Sequence, residues 1–147
     1  DSVLAPLLEP ASFREQPRGH GAGFVLLREL ESARRSGAPF AEVLARRLSA
    51  LGEPAPLDLP PFDGPANDAL VLGAASPELR RALAASAWAE ANLTDLASIH
   101  GYHEALGALA LAAAVALLLE RRARRVLVLA GGPHEVVSVL LGRGAEP

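Results

Sequence analysis

The chain of 147 residues contains no cysteine. That absence excludes disulfides, thiolate metal sites and a cysteine nucleophile together. It carries no information on redox compartment. Methionine is also missing, even at the first position, so the chain reads as a processed, trimmed or excerpted polypeptide. Lysine is missing too: the 14 basic residues are all arginine. With the abundance of Ala and Leu, this reads as a coding bias. The formal net charge is −3, so the electrostatic footprint of a nucleic-acid binder is lacking. No secretory signal is read at the start, where Asp1 and Glu9 stand in place of a basic, then apolar, leader. The longest apolar run, Ala105 to Leu119, is short for a membrane span and contains Gly107. The expectation is a cytoplasmic protein with no nucleic-acid and no membrane partner.

Half of the residues are apolar and 21% are charged, a composition that folds rather than stays disordered. The length suits one domain over residues 1–147, with enough material for a core.

Residues 1–18 form a short apolar segment broken by Pro6, Pro10 and Pro17. Phe24 to Leu30 is continuously apolar at first and predicts a buried strand. Glu29 to Ser36 predicts a short helix or turn that Gly37 ends. Phe40 to Leu48 alternates loosely and predicts a strand with one solvated face. The proline-rich stretch 52–67 is a surface connection. Asp68 to Ala75 predicts a short buried strand. Ser76-Pro77-Glu78 then predicts a helix start, with Ser76 as N-cap, running to about Glu90. Asn92 to Ile99 is a connector with room for a short strand. His103 or Glu104 opens a long Ala/Leu helix that ends in Glu120-Arg121-Arg122. Arg125 to Ala130 and Glu135 to Leu141 flank Gly131-Gly132-Pro133-His134 and predict a hairpin.

A helix so evenly apolar needs protein on every side. A mixed sheet covered on both faces would supply much of it, which is an α/β layered architecture.

Three blocks carry a family resemblance. Arg18 to Ala38, with Gly19-His20-Gly21-Ala22-Gly23 running into apolar residues, resembles the G-E-G-A-G-x-L-V-L-E block of β-ketoacyl-acyl-carrier-protein synthases. Ser98 to Ala108 is similar to their S-x-x-G-H-x-x-G-A-A-G segment, and Val126 to Arg143 to their closing S-x-G-F-G-G-x-N-A loop and strand. Order and approximate spacing agree over nearly the whole chain. The resemblance implies the C-terminal half of a thiolase-like α/β fold: a mixed sheet covered by helices, a long buried Ala/Leu helix and a C-terminal β-hairpin.

The departures fall at the chemistry. The family's nucleophilic cysteine belongs to a half that is not represented here. Its H-G-T-G-T loop corresponds to Ala74-Ala75-Ser76-Pro77, without His or Thr. Its second histidine aligns with Tyr102, with His103 one place over, and its G-E-G-A-G acid is His20. Condensation needs a thiolate to carry the acyl chain and donors to stabilise the enolate and oxyanion. The pattern therefore resembles chain-length factors, non-condensing homologues in polyketide and fatty acid biosynthesis. The partners implied are a ketosynthase subunit or complementary N-terminal half and an acyl carrier protein, in a hetero- or homo-oligomer. No cofactor is expected. An unrelated small α/β binding protein remains the third reading.

His100, Tyr102 and His103 crowd one turn at the mouth of the long helix. They read as capping and filling residues, with an acid/base pair on an acyl group as the functional alternative. His100 and His103 have His-x-x-His spacing, but they precede the helix with only Glu104 nearby, so no metal is expected. His134 follows Gly131 and Gly132 in a turn that the resemblance places near the family's active site; these glycines and His20 are candidates for an acyl-pocket backbone loop. Gly19 to Gly23 leads toward a predicted strand, not a helix, so it is not a phosphate loop. Ser76 and Ser98 lack a Gly-x-Ser-x-Gly elbow. The Arg pairs, such as Arg80-Arg81 and Arg124-Arg125, read as solvated faces or helix ends, one of which could meet a carrier protein. A rewired acyl-handling enzyme would use His103, Tyr102 and His134.

Overall fold

The computed structural model describes residues 25–51, 56–102 and 104–144. Its elements are α1 (Leu30–Ser36), β1 (Ala41–Ala50), β2 (Asp68–Ala75), α2 (Pro77–Ala84), a 3-10 turn (Ala87–Glu90), β3 (Asn92–Asp95), α3 (Leu96–His100), α4 (Leu106–Leu119), β4 (Arg125–Gly131) and β5 (Glu135–Arg143). The five strands form one mixed sheet in the order β1-β5-β4-β2-β3. β2 runs parallel to both β3 and β4, whereas β5 is antiparallel to β4 and to β1. This is an α/β architecture with helices on both faces.

Local signals set many of the boundaries. Gly37 stops α1 in the left-handed conformation at φ 67°, and its N–H returns to Arg34. Ser76 caps α2, its side chain accepting from Leu79 N, with Pro77 in the first turn. α4 ends without a glycine. Arg121 takes φ 59° there, while Arg121 N reaches Leu118 O and Arg122 N reaches Leu117 O, the paired bonds of a Schellman cap. Arg143 from β5 closes the same end by donating twice to Leu118 O, at 3.0 and 3.2 Å.

Strand alternation divides the core into two layers. Ala69, Val71, Val126, Val128 and Leu141 face α3 and α4. Leu70, Leu72, Leu127, Leu129 and Val136 face α2 and the fully buried Trp88. β2 and β4 are therefore apolar almost without alternation, as strands covered on both faces must be.

Four expectations need correction. Residues 25–29 are not a strand, and Leu30 already belongs to α1. Leu26 and Leu27 are 84% and 80% exposed, so this apolar run has no layer to enter, and β-propensity acts only where a pleated neighbour receives it. The helix from Ser76 ends at Ala84 rather than Glu90, because the chain tightens into the 3-10 turn that inserts Trp88. The long helix starts at Leu106 and ends at Leu119, leaving Arg121 and Arg122 beyond it. That helix is also not enclosed on every side. Leu106, Ala110, Ala114 and Leu118 form one fully buried row on the sheet. Ala116 and Leu119 are exposed, and Ala108 and Ala112 are only half-buried. The block Gly19 to Gly23, with His20, lies outside the described residues, as does His103.

Candidate functional site

In open parallel sheets, ligands gather outside the carboxyl ends of the strands where the chain diverges to the two faces. Here that point lies between β2 and β4. From β2 the chain leaves to α2 on one face, and from β3 it returns to β4 by way of α4 on the other. The residues at this point are Ser76, Gly131 and Gly132.

They are fastened to one another. Ser76 N donates to Gly131 O at 3.1 Å, and Ser76 Oγ donates to Gly132 O at 2.8 Å while accepting from Leu79 N at 3.1 Å. Ser76 is completely buried. Its hydroxyl is spent on capping and bridging, which removes it as a nucleophile. Gly131 is required by close approach: a Cβ there would run into Glu135 O and lie 2.9 Å from Val136 Cα. The two glycines thus serve the seal between β2, β4 and β5.

The histidine and tyrosine candidates lie on different parts of this rim. His100 is exposed at the end of α3, and Tyr102 packs, half-buried, against the α4 layer. His134 is exposed in the β4–β5 turn, where its carbonyl accepts from Leu51 N at 2.8 Å. Pro133 beside it lines a groove on the opposite, α2, face. Tyr102 and the Pro133–His134 turn are therefore served by opposite layers. Among the described residues no three of His, Cys, Asp or Glu come together as a metal site.

The tertiary structure also assigns roles to charged residues that the sequence left on the surface. Arg80, read as one of a solvated pair, donates to Asp95 through Nη1 at 2.6 Å and Nη2 at 3.2 Å. Asp95 ends β3 and caps α3, accepting from Ser98 N and Ser98 Oγ. Arg125, likewise read as solvated, is paired with the fully buried Asp68 across the β2–β4 ladder. A sequence pattern names neither pair, because their separations of 15 and 57 residues close only when the strands align.

Asp95 gives a pH prediction. Burial pulls its carboxyl upward, but hydrogen bonds from Arg80 and Ser98 and the Arg80 charge outweigh that pull and hold it below 3.8. A lowered folded pKa means stability that is complete above 3.8 and is lost as pH falls through the lower folded value. Asp95→Asn is expected to weaken the protein at neutral pH and flatten the acid limb of Tm against pH below 3.8. A variant that keeps the wild-type acid limb would contradict this assignment.

Among the described residues no helix is long and apolar enough to cross a membrane. Comparison with protein-family models, with curated proteins and with solved structures returns no significant match.

Proposed function

We propose that this chain is a non-catalytic, ketosynthase-like subunit or fragment. It acts in the manner of a chain-length factor, completing a layered fold with a condensing-enzyme partner in fatty acid or polyketide biosynthesis. The observation that carries this reading is the outer row of α4. Ala108, Ala112, Ala116 and Leu119 fall at i, i+4, i+8 and i+11, opposite the row on the sheet, and α4 has no charged residue. A helix that ends at solvent normally presents a polar face there. A second protein layer would bury this row, and small residues let a helix approach closely.

The chemistry of the chain supports the same reading. No thiolate is available for acyl transfer. Ser76, the hydroxyl nearest the strand ends, is sealed by Gly131 and Gly132. In the competing reading, His103, Tyr102 and His134 handle an acyl group, with acyl carrier protein as the donor.

The test has two arms. The full chain alone is expected to sediment as concentration-dependent oligomers. A partner carrying a cysteine at a helix N-terminus is expected to convert it to a defined complex. Ala112→Glu combined with Leu119→Glu is expected to abolish both associations, because a carboxylate cannot be buried there unpaired. A thermally cooperative wild-type monomer with no partner overturns the proposal. In the second arm, acyl transfer from a carrier-protein thioester is followed with His103→Ala and His134→Ala. An unchanged rate supports a scaffold, and loss of transfer supports the enzyme.

A further inference from the structure

On the sheet face away from α4, the chain forms a groove that the family resemblance does not account for. Its volume is about 650 Å³, within the range of small-molecule sites. Leu57, Pro60, Phe62, Ala82 and Trp88 line it, with Glu78 and Arg81 as its charged groups.

The apolar wall is fixed in advance. Trp88 Nε1 donates to Pro60 O at 2.7 Å, which ties the indole to the proline-rich connection. Phe62 packs on the same indole with ring centres 5.2 Å apart and planes tilted by 54°. Pro60 and Pro61 stiffen the backbone of this wall. A wall held this way loses little entropy when something docks on it.

The acidic group in this groove is only partly matched. Among the described residues Glu78 Oε2 is buried and has no hydrogen-bond partner, although the side chain as a whole is 39% exposed. Oε1 lies 3.6 Å from Arg81 Nη2, an ion pair whose arginine is 77% exposed and therefore weakly held. The last torsion of a glutamate is broad, so the carboxylate can turn Oε2 toward the groove at little cost. What is lacking is an N–H donor, and a positively charged one satisfies a carboxylate best.

We propose that this groove binds a small apolar amine, its hydrocarbon or aromatic body on the Leu57–Pro60–Phe62 wall that Trp88 backs and its ammonium on Glu78. Arg81 tunes the site. Its guanidinium lies by Oε1 and its charge opposes an incoming ammonium at Oε2, while an anionic or neutral ligand of the same shape lacks the contact with Glu78. The groove and the outer row of α4 lie on opposite faces of the sheet, so the site is independent of any partner that α4 meets.

Trp88 is the only tryptophan in the chain; it also borders a smaller pocket beside Leu93, so its fluorescence reports binding near the indole and Glu78→Gln assigns the signal to this groove. The probes are 2-phenylethylamine and, as its charge-reversed counterpart, 3-phenylpropionate, titrated against the full chain. The amine is expected to give a saturable change and the acid a response at least about tenfold weaker, as expected when one charge-assisted bond is lost. Glu78→Gln is expected to weaken the amine by about the same factor, and Arg81→Ala to tighten it. Glu78 and Arg81 are partly or fully exposed, and circular dichroism verifies that both variants fold. The proposal is overturned if the amine gives no saturable change up to about 10 mM, well beyond a millimolar constant. Equal binding of the acid overturns it too, as does full affinity in Glu78→Gln.

Discussion

Asp68→Ala is expected to destabilise the protein by about 3–5 kcal/mol, because it leaves Arg125 without its principal partner in a nearly closed site. Asp68 opens β2 and its side chain is wholly buried, whereas Arg125 opens β4 and is 22% exposed. The two are register partners on adjacent parallel strands. Arg125 donates from Nε to Oδ1 at 2.8 Å and from Nη2 to Oδ2 at 2.6 Å, a fork that matches the carboxylate. The hydrogen bond to Asp68 raises the Arg125 pKa against the pull of burial, and the charges of Asp68 and Asp63 add to it.

The pair also latches the connection. Asp68 Oδ2 accepts from Asp63 N at 2.6 Å, and Arg125 Nη2 donates to Pro61 O at 2.9 Å. Losing the carboxylate therefore loosens residues 61–63 and leaves the guanidinium with only the half-exposed Asp63 carboxylate, 3.0 Å away, as its ionic partner among the described residues. Thermal unfolding is expected to show a fall in Tm of roughly 10–15 °C for a domain of this size. The double variant Asp68→Leu with Arg125→Met is expected to recover much of that loss, since an apolar pair removes the desolvated charge altogether. If Asp68→Ala cost less than about 1 kcal/mol, the value of an exposed ion pair, water would have to be replacing the carboxylate.

Trp88→Ala is the second large effect, at about 3–5 kcal/mol, the cost of deleting a large aromatic from a packed core. Trp88 is 1% exposed and packs with Leu70, Leu72 and Leu83. Its removal opens a cavity that the sheet cannot close, because β2 is held on both sides by β3 and β4. The Pro60 carbonyl also loses its donor. Trp88→Phe separates the two contributions: it keeps most of the apolar contact and is expected to cost about 1–2 kcal/mol, for the lost hydrogen bond and residual volume. Denaturant unfolding of the pair measures the difference. Similar losses for Ala and Phe would mean that the hydrogen bond, not the packing, holds the proline-rich wall in place.

These two residues show where sequence reasoning stops. Trp88 sits in a stretch predicted as plain helix, and only the 3-10 turn after Ala84 directs its indole into the layer. Arg125 reads as one of a basic pair after a helix, and nothing within several residues of it hints at Asp68. The same holds for Arg80 and Asp95. The groove beside Glu78 needs the connection to fold back over α2, which no periodicity encodes.

The sequence by itself determined the features whose cause lies within a few residues. Gly37 ends α1 because a left-handed residue is needed there. Ser76-Pro77 starts α2 because a side-chain acceptor meets the free N–H groups of a first turn. Asp68 to Ala75 reads as a doubly covered strand because it is apolar on both alternating faces, and the strand has those bounds. Tertiary structure alone decided what depends on a distant neighbour. It chose which rows of α4 meet the sheet, although the helix is apolar all round and its own pattern gives no preferred side. It withheld a strand from Val25 to Glu29, whose composition favours one but which stands outside the sheet. It also converted presumed surface charges into latches. Hydrogen bonds within a turn are specified by adjacent residues, whereas burial, pairing and charge compensation exist only once the layers have assembled.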